Sequence, residues 1–230
     1  HTSFLQHGTV TGRLSSAAPN LQNISKDDSV RRAFVARPGY VFVLTDFSQV
    51  ELRGLAYYSR EPILLEAYSK DGVDVHRDTA AFVLQKPADQ VTDKERHDFG
   101  KRMNFGMAYG ITELGVASIS HCSLSRARDI LSRFWRLFAG VAAWKERLLE
   151  EARPNGYIVN IFGRRRRHAD LNSGVAHVRE AAEREIINSI IQGTCSADIP
   201  NFAAVRVQGM LNRAGCDGRD WRLLVHVRPI

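Results

Sequence analysis

The stretch that most constrains this chain is Val41-Phe42-Val43-Leu44, four consecutive apolar residues that run into Thr45-Asp46 and then, without Gly or Pro, into Gln49-Val50-Glu51-Leu52-Arg53. A short apolar run of this kind predicts a buried strand over 41–46, and the apolar spacing from 49 to 59 predicts a helix directly behind it. Such a junction presents one carboxylate, Asp46, at the end of a strand, where oxygen ligands can hold a hard cation. Taken alone, an aspartate there is more often a helix cap or a turn residue. A chemical role must therefore rest on other segments.

With 230 residues and 44% hydrophobic content, the chain can bury one large core or two modest ones, which excludes global disorder. Its net charge of +7 and pI near 9.6 favour an acidic partner, and nucleic acid is the usual one. An ordinary solvated basic surface is the plain alternative. Cys122, Cys195 and Cys216 lack CxxC spacing and paired histidines, so neither a zinc site nor a disulfide framework is expected. No apolar run approaches the roughly 20 residues that span a bilayer, and the first residues lack the pattern of a signal peptide. The expectation is a soluble, intracellular protein of cytoplasm, nucleoid or organelle matrix, with no membrane partner.

Residues 1–35 read as irregular, carrying Thr11-Gly12-Arg13-Leu14-Ser15-Ser16 and Pro19-Asn20-Leu21-Gln22-Asn23. Pro62 opens a new helix, and helical spacing dominates about 92–110 and 125–153. Asn155-Gly156 breaks that pattern, and 157–161 predicts one strand of a hairpin returning through Phe162-Gly163. A long helical region follows over about 176–214, then a last strand over 221–227. The fold class expected is α+β.

Within 92–110, His97, Lys101, Phe105 and Tyr109 recur every four residues and would share one helical stripe. A cation among aromatic rings suits a nucleotide, with Lys101 on the triphosphate and the rings facing sugar and base. A lysine snorkelling beside buried rings is the simpler alternative. Further on, Glu180, Arg184, Asn188 and Gln192 also recur every four residues, opposite Ile186, Ile187, Ile190 and Ile191.

Six blocks occur in one order: TGRLSS with PNLQN, DFSQVELR, Asp74-Val75-His76, KRMNFGMAYG, FGRRR, and REAAERE with NSIIQGTCSAD. Together they resemble the motifs of family A DNA polymerases, the DNA polymerase I type. The resemblance covers nearly the whole chain. It implies a partial antiparallel palm sheet with an inserted, mostly helical fingers subdomain: palm over 1–60, fingers over 61–155, palm again over 156–230. It also implies template-directed DNA synthesis from deoxynucleoside triphosphates on primer-template DNA, with Mg²⁺ as cofactor. The oligomeric state is left open, a monomer being the expectation.

By the same resemblance, Asp46 and Lys101 are the catalytic residues, and Asp46 with Phe47 would hold the metal. Gln49, Glu51, His76, His97, Lys101, Phe105 and Tyr109 would surround the nucleotide. Glu51 would crowd the sugar 2′ position and exclude ribonucleotides, and phenylalanine at 105 is the variant associated with poor acceptance of dideoxynucleotides. Arg13, Asn20, Asn23, Arg164, Arg165, Arg166, Arg184, Asn188, Gln192 and His226 would contact DNA.

Two departures stand out. His97 occupies the place of the family's arginine four residues before the lysine, with Arg96 one place earlier. In the third motif His226 is present, but Val227 stands where the family has an aspartate, and Arg228 follows. Two-metal phosphoryl transfer needs carboxylates on both sides of cations about 3.5–4 Å apart; valine is no ligand, and an arginine there would repel the cations. The expectation is a polymerase core with an incomplete metal site, an interior fragment whose last residues diverge. Its rival is a non-catalytic remnant that binds primer-template or nucleotide. A nuclease would need a cluster of acidic residues at ligand spacing, which the sequence lacks.

Overall fold

A computed structural model describes residues 2–25, 27–70 and 72–215, with only the backbone of residues 107–109. The chain divides into two compact units, one of residues 1–48 with 196–230 and the other of residues 49–195. The described residues are mostly helical, with two small antiparallel sheets.

In the first unit β1 (Ser3–Leu5) pairs antiparallel with β2 (Ser15–Ala17), placing Ser3 opposite Ala17 and Leu5 opposite Ser15. The short helix α1 (Asp28–Arg31) is capped by Asp27, whose carboxylate accepts from the Ser29 amide at 2.8 Å. Residues 41–46 do not form the expected strand. They are irregular, with Val41 82% and Leu44 86% exposed. A strand needs a ladder partner to satisfy its backbone, and among the described residues none pairs with this run. The other expected strand, 221–227, lies outside the described residues, as do His226 and Val227.

The second unit contains the hydrophobic core. Helix α2 (Val50–Ser59) begins where predicted and buries Leu52, Leu55 and Ala56. Helix α3 (Pro62–Ser69) starts at the predicted proline, whose missing N–H costs nothing in a first turn. Helix α4 (Val75–Leu84) is capped by Asp74, which accepts from the Arg77 amide at 3.1 Å.

The region 92–110 is helical but not uniform. A capping box joins Thr92 and Glu95 at the start of α5 (Asp93–Glu95), a π turn covers Arg96–Lys101, and α6 covers Arg102–Tyr109. The π turn widens the helical period, so the four-residue stripe from His97 to Tyr109 is not the continuous α-helical row that its spacing predicts.

Helix α7 (Glu113–Ser120) leads to α8 (Leu124–Leu137), which buries Ala127, Ile130 and Phe134, and α9 (Ala139–Asn155) follows after a one-residue break. Phe134 packs edge-on against Phe138 with centroids 5.1 Å apart, both fully buried. Burial of each such side chain contributes roughly 1.5–3 kcal/mol.

The predicted hairpin is present. β3 (Tyr157–Val159) pairs antiparallel with β4 (Arg165–Arg167), and its turn is held by the Asn160 carboxamide, which accepts from the Phe162 and Arg164 amides at 3.0 and 2.9 Å. Helix α10 (Ala176–Ile191) buries Ile186, Ile187, Ile190 and Ile191 as the pattern requires. A second π turn, Gln192–Asp198, then runs into α11 (Ile199–Arg213).

Candidate functional site

The backbone of α4 sets the geometry around α6. The carbonyl of His76 occupies the space that a β-carbon on residue 100 would need, so only glycine lets the π turn approach α4 this closely. That approach brings Asn104 and Phe105 onto His76. The Asn104 amide nitrogen lies 3.0 Å from His76 Nδ1 and 3.0 Å from the Thr79 hydroxyl, and the Phe105 ring stacks on the imidazole with centroids 6.4 Å apart and planes 26° from parallel.

His76 is only 3% exposed. Burial, then the nearby Arg96 and Lys101 cations, push its pKa down to about 4 against the opposing pull of Asp74. It is therefore neutral at physiological pH and brings no positive charge to a phosphate. Arg96, one place before His97, donates through Nε to Asp74 at 2.6 Å. His97 is exposed and lies 3.0 Å from the Asp98 carboxylate. The Lys101 side chain is exposed, and Phe105 is half-buried. Tyr109 lies on the last turn of α6, where only the backbone is described.

Two further candidates, Gln49 and Glu51, sit at the start of α2. Gln49, in the left-handed conformation ahead of α2, accepts from the Tyr68 hydroxyl at 2.8 Å. Glu51 is half-buried in the first turn, close enough to Cys195 to raise the thiol's pKa, although burial is the larger cause and carries it to about 12. Cys195 and Gly54 touch, the sulfur filling the space that a β-carbon on residue 54 would need. Sequence patterning gave no sign of this pair, because the contact joins two elements far apart in the chain.

The arginine run alternates as a strand must. Arg165 and Arg167 are exposed, with the Arg165 guanidinium 4.4 Å from the centre of the Tyr157 ring, whereas Arg166 donates to Glu185 of α10 at 3.1 Å. Arg164 is exposed at the turn. On α10, Arg184 is exposed and Asn188 half-buried, with Asn188 Oδ1 buried and without a hydrogen-bond partner among the described residues; Gln192, the first residue of the following π turn, is half-buried. The Arg184 stem crosses the end of α6, its Cγ 2.9 Å from where a β-carbon on Gly110 would fall. The aromatic-bearing helix and the polar face of α10 thus meet inside one unit.

In the first unit Asn20 Oδ1 accepts from Ser16 Oγ at 2.8 Å and from the Gln22 amide at 3.0 Å, so this side chain shapes the loop. Asn23 is exposed and Arg13 half-buried. Asp46 and Phe47 are exposed in the irregular segment. Among the described residues no group of three or more His, Cys, Asp or Glu side chains could hold a metal ion. The Asp46 carboxylate and the Phe47 carbonyl are hard oxygen donors suited to Mg²⁺, but they are not the donor set of a two-cation centre.

A model of DNA polymerase family A matches residues 1–227. The thermostable DNA polymerase I of Thermus thermophilus is 40% identical over 219 residues, covering 94% of this chain and 26% of that protein. DNA polymerase I of Pseudomonas aeruginosa is 39% identical over 223 residues, covering 95% and 24%. Among solved structures, the POL domain of Pol1 from M. smegmatis, in complex with DNA primer-template and dNTP, matches with a TM-score of 0.85 and 38% identity, covering 94% of this chain and 38% of that one. The chain belongs to DNA polymerase family A. It spans about a quarter of the length of the curated relatives it matches. No helix among its described residues is long and apolar enough to cross a membrane.

Proposed function

We propose that this chain is the palm and fingers part of a template-directed DNA polymerase, an intracellular protein that transfers deoxynucleotides to a primer 3′-hydroxyl. The observation that carries this reading is the junction of α6 with α10 at Gly110 and Arg184, which sets a nucleotide-facing helix beside a polar face suited to DNA. Palm is assigned to 1–60 and 156–230, and fingers to 61–155.

Lys101 supplies the cation for the triphosphate, and Phe105 supplies a flat face held in place by His76. Gln49, Glu51, His97 and Tyr109 complete the proposed nucleotide surround. Arg165, Arg167 and Arg184, exposed on β4 and α10, address phosphates, and Asn188 and Gln192 offer amides to minor-groove acceptors, which are similar for every base pair. Arg13, Asn20, Asn23, Arg164 and His226 are assigned to primer or template strand, and Arg166 joins them only if it leaves Glu185.

Mg²⁺ is the cofactor this reading implies. When bound it would stabilise charge on the transferring phosphoryl group. Asp46 and the Phe47 carbonyl would hold it, and Val227 leaves the expected opposite carboxylate missing.

Titration of fluorescent primer-template DNA into the chain tests the proposed interface. Binding should show little sequence preference and weaken steeply as salt rises, because phosphate contacts release counterions. Affinity that does not change between low and moderate salt would refute the phosphate-contact assignment.

A further inference from the structure

Asn104 is fully buried, and His76 nearly so, between α4 and α6. Their hydrogen bonds can be assigned donor by donor. The Thr79 hydroxyl gives its one proton to the Val75 carbonyl at 2.7 Å, so Thr79 Oγ1 must act as an acceptor toward Asn104, 3.0 Å away. The Asn104 atom facing it must then be the amide nitrogen. The same atom lies 3.5 Å from the Val75 carbonyl, where an amide oxygen would be repelled. This orientation is kept although it leaves Asn104 Oδ1 buried with no hydrogen-bond partner among the described residues. With the nitrogen directed inward, its second proton points to His76 Nδ1 at 3.0 Å. Nδ1 must therefore accept, and the ring proton of a neutral histidine then belongs on Nε2.

We propose that Asn104 is a positioning residue that holds His76 as the Nε2-protonated neutral imidazole, so that this ring meets the incoming nucleotide as an uncharged hydrogen-bond donor. The purpose of the arrangement rests on the nucleotide reading above, but its geometry does not. Three observations support it from different sides. Phe105 stacks on the imidazole and fixes the plane of the ring. The charged groups that act on the ring are Arg96 and Lys101, which disfavour a charged imidazole, and Asp74, which favours one. Asp74 is itself engaged by Arg96 at 2.6 Å, so the acid best placed to charge the histidine is already paired. Positive charge toward a phosphate then comes from Lys101, and His76 contributes direction without charge.

Ring-nitrogen NMR shifts of the histidine-labelled chain test this directly, with the His76 signals assigned by their loss in His76→Gln. The proposal expects the Nε2–H pattern for His76, unchanged from about pH 8 to about pH 5. An Nδ1–H pattern, or a midpoint near the ordinary value of about 6.5, would overturn it. In Asn104→Asp the carboxylate would accept from Nδ1–H, so the proposal expects the His76 midpoint to rise by more than about one pH unit; an unchanged tautomer and midpoint would also overturn it. Should that variant fail to fold, the wild-type spectrum decides. A dATP titration of the same sample separates the two claims: the expected tautomer without any dATP-dependent shift would sink the nucleotide reading of the site and leave the Asn104 assignment standing.

Discussion

The His76 carbonyl of α4 and Gly100 of the π turn meet backbone to backbone, with no space between them for a β-carbon. Backbone cannot swing aside as a side chain can, so Gly100→Ala must push the π turn away from α4. The expected cost is about 1–3 kcal/mol, the usual scale of overpacking, together with loss of the Asn104 contact to His76. Urea denaturation and the His76 ring signals should change together. A Gly100→Ala variant of wild-type stability would show that this approach is not tight.

A second close pair gives a test by compensation. In α2, Gly54→Ala gains up to about 1 kcal/mol of helix propensity but strikes the buried Cys195 sulfur. Destabilisation of roughly 1–3 kcal/mol is expected for the single variant. Adding Cys195→Ala should restore most of it. Additive effects in this double-mutant cycle would contradict the packing described.

Lys101→Ala should weaken deoxynucleoside triphosphate binding by about 1.5–3 kcal/mol, the scale of a lost hydrogen bond to a charged group. Phe105→Ala should also weaken it, through loss of the stacked face. Isothermal titration checks both. Equal affinity in the wild type and the Lys101 variant would place the triphosphate elsewhere.

The depressed His76 pKa makes a statement about stability. The unfolded chain takes up a proton on this residue below about pH 6.5, whereas the folded chain resists until about pH 4. Stability contributed by the neutral ring is thus present above the unfolded value and is lost as pH falls from about 6.5 to about 4, with a limiting slope near 1.4 kcal/mol per pH unit. Urea midpoints measured across this range should show the decline in the wild type and a shallower one in His76→Gln. Identical profiles would mean that His76 ionises alike in both states.

Periodicity disclosed the helices of residues 49–195 because their burial is local and repetitive: Leu52 and Leu55 on α2 and the isoleucines of α10 all face the core that their spacing demands. The hairpin at 157–167 was legible from Asn155-Gly156 and Phe162-Gly163. What spacing could not show was the π turn at Arg96–Lys101, because an extra residue in a helical turn leaves the apolar composition unchanged while rotating everything after it. Nor could it show that Arg166 pairs with Glu185 or that Arg96 pairs with Asp74, since both depend on contacts between elements. The apolar run 41–44 misled for a related reason: its residues have strand character, but a strand exists only when another pairs with it.

Primer extension by a chimera tests most directly the proposal that these residues are part of a DNA polymerase core. Residues 1–226 would replace the corresponding segment of a complete family A enzyme, which restores the aspartate at the position of Val227. Full-length extension by the chimera, abolished by Asp46→Ala, is expected. A chimera that folds and binds primer-template but extends nothing would contradict it and favour a binding remnant.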